Sequence, residues 1–392
     1  MMTASNRSEI APFYVMEVMK AAAERERTGG EVLHMEVGQP STSAPSGVLE
    51  AAHETISRDR LGYTAATGIP ELRDRIGGYY VSRHNIEVDP ARIIVTVGAS
   101  GGCVLSFLAA FDHGDRVAVA EPGYPCYRNM LEAFGVNVVG IPVGPATRYS
   151  LTPDLIRGIG PIDGLVVGNP ANPTGTAYAR NDLEELAGHC RANGIRLLSD
   201  EIYQGIDYDR APTTVAALDD RAIVLQSFSK YYSMTGWRLG WLVAPTELVA
   251  PIERLCQNLF ISPPTLSQLA GLAAFDCTEE LDVNVERYAV NRGMVLETLQ
   301  AAGFADVAPA DGAFYAYANV EHLTDDSQAL CATWLEELGV AVTPGVDFDP
   351  ARGRRYVRFS YSESTADVAE AMQRIRDWCA GRRGPVGALD EA

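Results

Sequence analysis

Between Arg92 and Ser229, short apolar or β-branched runs alternate with longer stretches whose apolar positions recur at helical spacing. The runs at 93–97, 117–120, 165–167, 196–198 and 222–226 are predicted as strands, each followed by a loop rich in Gly, Pro, Ser, Asp or Asn. A helix is predicted over 181–193, where Leu183, Leu186 and Ala187 share one face and Gly194 supplies the stop. Another follows Gly101 and Gly102. This alternation predicts an α/β domain, a mostly parallel sheet flanked by helices.

The last third changes pattern. A helical stretch at 288–302, the aromatic run FYAYANV, a helix at 327–338, the run RRYVRFSYS and a final helix predict a smaller α+β domain. The helix predicted at 14–27 and the strand at 32–37 are too short a segment to stand alone and are assigned to that smaller domain. The resulting division is 1–44 packing with the small domain, 45–287 as the large domain, 288–381 as the small one and 382–392 as a flexible tail.

Composition narrows the function classes. A formal charge of −19 argues against a nucleic-acid partner, since affinity for a phosphate backbone needs concentrated Lys and Arg. No apolar run reaches the ~20 residues that span a bilayer, and the first residues lack a secretory pattern, so no membrane association and a cytoplasmic location are expected. The seven cysteines show no CxxC pairing, and no metal is expected.

Open parallel sheets bind ligands outside the carboxyl ends of their strands, so the residues after each predicted strand are candidates. The first strand runs into VGASGG, where Ala99, Ser100 and Gly101 open a helix whose N–H groups suit a phosphate. EPGYPCYRN offers Tyr124, GNPANPTG offers Asn172 between two prolines, and LLSDEIYQG offers Asp200 and Tyr203. SFSKYYSMTGWRLG brings Ser227, Ser229, Lys230 and Arg238. A dinucleotide reading of VGASGG fails on spacing, because Ser100 and Cys103 stand where a GxGxxG series opening at Gly98 requires glycine.

Singly, each of these has an ordinary structural explanation: strand-to-helix punctuation, a helix cap, a surface charge. Together they supply a phosphate cradle, an aromatic face, an amide, a carboxylate and an amine. Pyridoxal 5′-phosphate needs that set: a lysine to hold its aldehyde as an imine, an acid to keep its ring nitrogen protonated, and a phosphate site.

SFSKYYSMTGWRLG, with NPANPTG and SDEIY before it and YVRFSYS after it, resembles the class I aminotransferases of fold type I, in particular the gamma subgroup of aspartate aminotransferase-like enzymes. The resemblance implies transfer of an amino group from an L-amino acid to a 2-oxo acid. It implies that Lys230 is the Schiff-base lysine and proton carrier, that Asp200 pairs with the ring nitrogen and that Tyr124 stacks on the ring. Asn172 and Tyr203 would hold the ring oxygen, and Ala99, Ser100, Gly101, Ser227, Ser229 and Arg238 the phosphate. Tyr63 would reach the phosphate site of a neighbouring subunit, which makes a homodimer with shared sites the expected assembly. Arg358 would clamp the substrate carboxylate beside the backbone of Gly38, with Phe13 and Tyr14 as a lid over the substrate.

Some aspartate-specific enzymes of the subgroup carry lysine where this chain has Ser100. The departure points toward a neutral or aromatic donor, with 2-oxoglutarate or pyruvate as acceptor. A C–S β-lyase or an aminocyclopropane carboxylate synthase would keep Lys230, Asp200 and Arg358, and a non-enzymatic regulator built on the same domain is a third alternative.

Overall fold

A computed structural model describes residues 4–209 and 212–382. The chain folds into two compact units: one is built mainly from Gln39–Glu286, the other from Phe13–Gly38, Arg287–Ala308 and the chain from Phe314 onward. The sequence divisions at 44/45 and 287/288 lie a few residues from these boundaries. Two short pieces are exchanged as well. The segment ending at Pro12 belongs to the large unit, where Asn129 donates to the Ala11 carbonyl at 3.4 Å. Pro309–Ala313 also belongs there, because Gly312 bridges Asp207 and Ala313 N–H donates to the Ile206 carbonyl. From residue 383 the tail read from the sequence lies outside the described residues; Arg382 closes the last helix, Thr365–Arg382.

Among the described residues twelve strands follow in chain order. The first, β1 (Leu33–His34), belongs to the small unit. The large unit then contributes β2 (Ile93–Val97), β3 (Arg116–Glu121), β4 (Asn137–Pro142), β5 (Gly164–Gly168), β6 (Arg196–Asp200), β7 (Ile223–Ser227) and β8 (Leu239–Val243), and the small unit ends with β9 (Tyr315–Asn319), β10 (Val340–Ala341), β11 (Thr343–Pro344) and β12 (Tyr356–Ser360). The seven strands of the large unit form one sheet in the order β2-β8-β7-β6-β5-β3-β4. Only β8 runs against its neighbours. The five predicted strands are all present, and the fold class is the expected one.

Central strands such as β7 and β8 are buried along their whole length, which is why they read as unbroken apolar runs rather than alternating ones. In this sheet two strands escaped the sequence pattern, as did the two-residue β10 and β11 of the small unit. β8 begins within the run SFSKYYSMTGWRLG, read only for its candidate site residues, and β4 is an edge strand with Gly140 inside it and Pro142 at its end, both poor strand signals.

Because β8 is antiparallel to both β2 and β7, those two are parallel to each other, and β2 ends on the same sheet edge as β7. Register aligns the tips: Val97 faces Leu239, Ser227 faces Gly240 and Gly168 faces Asp200. Residues following β2, β3, β5, β6 and β7, and those preceding β8, therefore gather along one edge.

In the small unit, β1 pairs in parallel with β10, and β11-β12-β9 form an antiparallel sheet. The strand predicted at 32–37 is reduced to two residues because its continuation finds other partners: Met35 C=O accepts from Ser360 N–H, and the Glu36 carbonyl accepts from a side chain. Helix Tyr14–Arg27 has the predicted limits. Among the described residues no helix is long and apolar enough to cross a membrane.

Candidate active site

The turn after β2 is built for close approach. Gly98 has φ +66°, and a Cβ there would lie 2.5 Å from Arg238 Nη2 and 2.9 Å from its Cζ. Gly240, the second residue of β8, would place a Cβ 3.0 Å from the Gly98 carbonyl carbon and 3.1 Å from the Ala99 nitrogen. Two missing side chains thus let β8 and the Arg238 guanidinium reach the start of helix Gly98–Ala110. That helix has no side-chain cap, so the N–H groups of its first turn and the nearby guanidinium are arranged in a way that suits an anion. Arg238 itself is held in the left-handed region at φ +50° and donates from Nη1 to the Thr235 carbonyl at 2.9 Å. Ser229 N–H donates to Ser227 Oγ at 3.0 Å, which joins the two serines at the tip of β7.

Asp200 ends β6 and is 4% exposed. Burial pushes its carboxyl up to about 6, against the opposing pull of the Tyr127 hydroxyl, the Ile202 N–H and the Lys230 charge. Tyr127 Oη donates to Asp200 Oδ2, and Ile202 N–H donates to Oδ1 at 3.2 Å. Lys230 Nζ lies 5.7 Å from the centroid of the buried Tyr203 ring. Tyr124 meets Tyr127 edge to face, with ring centroids 5.2 Å apart, and Tyr124, Tyr127, Gly168 and Asn172 line one small cavity. The structure therefore brings Asp200, Tyr203 and Lys230 together, and Tyr124 together with Asn172.

Tyr63 behaves differently: 85% of it is exposed, on a loop tied to the rest of the unit by the Thr265 hydroxyl donating to the Gly62 carbonyl at 2.5 Å. Ser100 is also exposed.

In the small unit, Arg358 lies on the middle strand of its sheet and is 2% exposed. Its guanidinium carbon sits 4.4 Å from the Tyr315 ring and 4.8 Å from that of Phe348. From Nη2 it donates to the Glu36 carbonyl and, at 3.3 Å, to Thr343 Oγ1. A Cβ at Gly38 would lie 1.7 Å from Tyr315 Oη, so glycine is required beside the ring that supports Arg358. Tyr14 opens helix Tyr14–Arg27, and its N–H donates to Asp347 Oδ1 at 3.0 Å. Its side chain lines a groove with Val18, Ala21, Cys331 and Leu335.

Sequence reasoning missed Tyr127, Tyr315, Phe348 and Asp347. Tyr127 had a signal, standing one helical turn after Tyr124; Tyr315 and Asp347 are distant in sequence from what they support, and Phe348, though near Arg358 in the chain, has no spacing that marks it.

The donor set fits pyridoxal 5′-phosphate. A buried acid, a lysine close to it, a neighbouring aromatic pair and a glycine-lined anion site with an arginine occupy one sheet edge, and a Cβ at Gly98 would invade the space at that anion site. The sequence matches the family of aminotransferase class I and II over residues 30–375. The chain belongs to that family.

This aminotransferase is 49% identical over 377 residues to the valine–pyruvate aminotransferase of Mycobacterium tuberculosis, covering 95% of this chain and 97% of the relative. It is 32% identical over 373 residues to the aspartate/prephenate aminotransferase of Thermus thermophilus, covering 93% and 95%. The crystal structure of an aminotransferase from Mycobacterium tuberculosis superposes with a TM-score of 0.95 at 48% identity, over 97% of this chain and 100% of that one. The Thermus thermophilus aspartate aminotransferase with maleate superposes with a TM-score of 0.91 at 30% identity, over 96% and 100%. The aminotransferase is thus a fold type I, pyridoxal-phosphate-dependent enzyme that moves an amino group from an amino acid to a 2-oxo acid.

Proposed function

We propose that the donor is a neutral, branched amino acid of the valine type and that the acceptor is pyruvate. The name of the 49%-identical relative supports this, and so does Ser100 at the position where a lysine serves aspartate-specific enzymes. The observation that carries the catalytic reading is the Lys230 amine beside both the Asp200 carboxyl and the Tyr203 ring at neighbouring strand tips.

When bound, the cofactor supplies an electron sink for the substrate's Cα. Asp200 holds a proton at the ring nitrogen, its burial excluding the water that would weaken the pairing. Asn172 and Tyr203 hold the ring oxygen, and Tyr124 covers the ring face. Ala99, Ser100, Gly101, Ser227, Ser229 and Arg238 hold the phosphate. Lys230 would hold the aldehyde and is the base that would carry the Cα proton. Arg358 orients the substrate by its carboxylate, since a planar fork matches that group. Its stacking between Tyr315 and Phe348 keeps the fork from turning, and Gly38 and Tyr14 complete the substrate site.

The working unit is a homodimer. Tyr63 is 85% exposed and, by its match to the subgroup's tyrosine, serves the phosphate site of the second copy. Seven free cysteines support a reducing compartment, the cytoplasm.

The test incubates purified protein with L-valine and pyruvate. Stoichiometric alanine and 3-methyl-2-oxobutanoate are expected, with conversion of the cofactor to its pyridoxamine form by valine alone. Release of a thiol, ammonia and pyruvate from a β-thio-substituted amino acid such as cystathionine, with the cofactor unchanged and no reaction with valine, would instead make the protein a lyase, and turnover of aspartate in preference to valine would overturn the donor assignment.

A further inference from the structure

The large unit buries a second carboxylate next to Asp200 that the reaction does not use. Glu201 is fully buried, and each of its oxygens is engaged. Oε1 accepts from Ser199 Oγ at 2.9 Å and from Val215 N–H at 2.8 Å, and Oε2 accepts from Gln204 Nε2 at 2.8 Å. The series continues inward. Gln204 Oε1 accepts from Gln226 Nε2 at 3.3 Å, and Gln226 Oε1 accepts from the Ser227 N–H at 3.4 Å. Gln204 and Gln226 are 4% and 2% exposed, so the whole chain of bonds lies out of reach of solvent.

Its two ends are informative. Glu201 opens the turn that carries Tyr203, closed by the Gln204 N–H donating to the Glu201 carbonyl at 2.9 Å. Ser227 terminates β7, where its Oγ accepts from Ser229 N–H. The series therefore joins the ring end of the site to the phosphate end. Its direction is set from both ends: an ionised carboxylate only accepts and the Ser227 N–H only donates, so each amide turns its NH2 toward Glu201 and its oxygen toward Ser227. Neutral amides alone have no such preference.

Resting on the active-site reading above, we propose that Glu201 is a positioning residue which, through Gln204 and Gln226, fixes the Tyr203 turn and the Ser227 tip in the geometry that receives the cofactor. Keeping such a group ionised is unfavourable. Burial lifts its carboxyl to about 7, and the titratable neighbours facing it are Tyr79 and Tyr80 from helix Pro70–His84, neither of them cationic.

The test titrates cofactor-free full-length protein with pyridoxal 5′-phosphate. Glu201→Gln and Gln226→Leu are each expected to lower affinity about tenfold, and the double variant no further than either alone, as residues acting in one buried network do. The pH midpoint of the bound cofactor's visible absorption should shift in Glu201→Gln, since Tyr203 moves, a change that a merely structural role would not produce. If Glu201→Gln is too unstable to titrate, Gln226→Leu, which leaves every bond of Glu201 in place, carries the affinity comparison. Affinity within about twofold of the parent, or losses that multiply in the double variant, would overturn the proposal. Asp200→Asn is the control: if it binds cofactor as the parent does, the active-site reading fails, whereas a weak Asp200→Asn beside an unaffected Glu201→Gln sinks this inference alone.

Discussion

At the scale of single residues, Tyr127 has the widest reach of those that touch Asp200. It braces the face of Tyr124 and donates to the carboxylate, so one phenol holds two of the proposed cofactor contacts. Removing its hydroxyl withdraws a bond that favours the ionised acid. In Tyr127→Phe the pH below which cofactor affinity is lost should move up by roughly one unit, read by cofactor titrations between about pH 5 and pH 8. Asp200 also bears on stability. Its carboxyl is raised from 3.8 to about 6, so its favourable contribution to folding is complete below 3.8 and is lost as pH rises through about 6. Asp200→Asn should accordingly stabilise the cofactor-free protein near neutral pH, by on the order of 2 kcal/mol, while weakening cofactor binding. A lower melting temperature for that variant would contradict the assignment of burial as the dominant influence. Gly98→Ala meets both a positive φ and the Arg238 guanidinium. It should reduce affinity for inorganic phosphate at least about tenfold by calorimetry, since left-handed backbone alone costs a side chain about 1–2 kcal/mol.

At the scale of elements, helix Tyr14–Arg27 shows how a remote residue can stand in for a local signal. Phe13, at its N-cap, offers no side-chain acceptor. Asp347, more than three hundred residues away, accepts from the N–H groups of both Tyr14 and Val15, at 3.0 and 3.1 Å. Burial raises the Asp347 carboxyl, and those two N–H groups pull it back. Asp347→Ala should cost about 1–2 kcal/mol in denaturant unfolding, the range of a lost N-cap, and deprotect the first-turn amides in hydrogen exchange. Unchanged amide protection would show that the helix start is held by packing instead. The limits of this helix were legible in sequence from its apolar spacing, but its cap was not, because the partner is brought in only by the fold of the small unit. The same distinction separates β2, readable as IIVTV with a turn after it, from β8. An antiparallel return only eleven residues after β7 carries no spacing that separates it from a loop.

For the whole molecule, the testable consequence is a shared site. If Tyr63 serves the second subunit, Tyr63→Ala and Lys230→Ala are each crippled alone, but mixed and reassociated in equal amounts they should recover about a quarter of parent activity, since half the dimers are mixed and each then holds one intact site. No recovery after demonstrated exchange would place Tyr63 outside the neighbour's site. Sequence alone determined the alternation that makes a parallel sheet, the positions of the strand tips, and hence the shortlist of Asp200, Lys230, Asn172 and Arg238, because these depend on local pattern and on the rule that parallel strands present their ends together. Only tertiary structure decided which groups sustain them: Tyr127 on Asp200, Tyr315 and Phe348 on Arg358, Gly98 and Gly240 under the anion site, Glu201 behind Tyr203. Such partners are chosen by distance in space and by burial, which set the strength of each hydrogen bond and the position of each titration, and neither quantity is carried by neighbours along the chain.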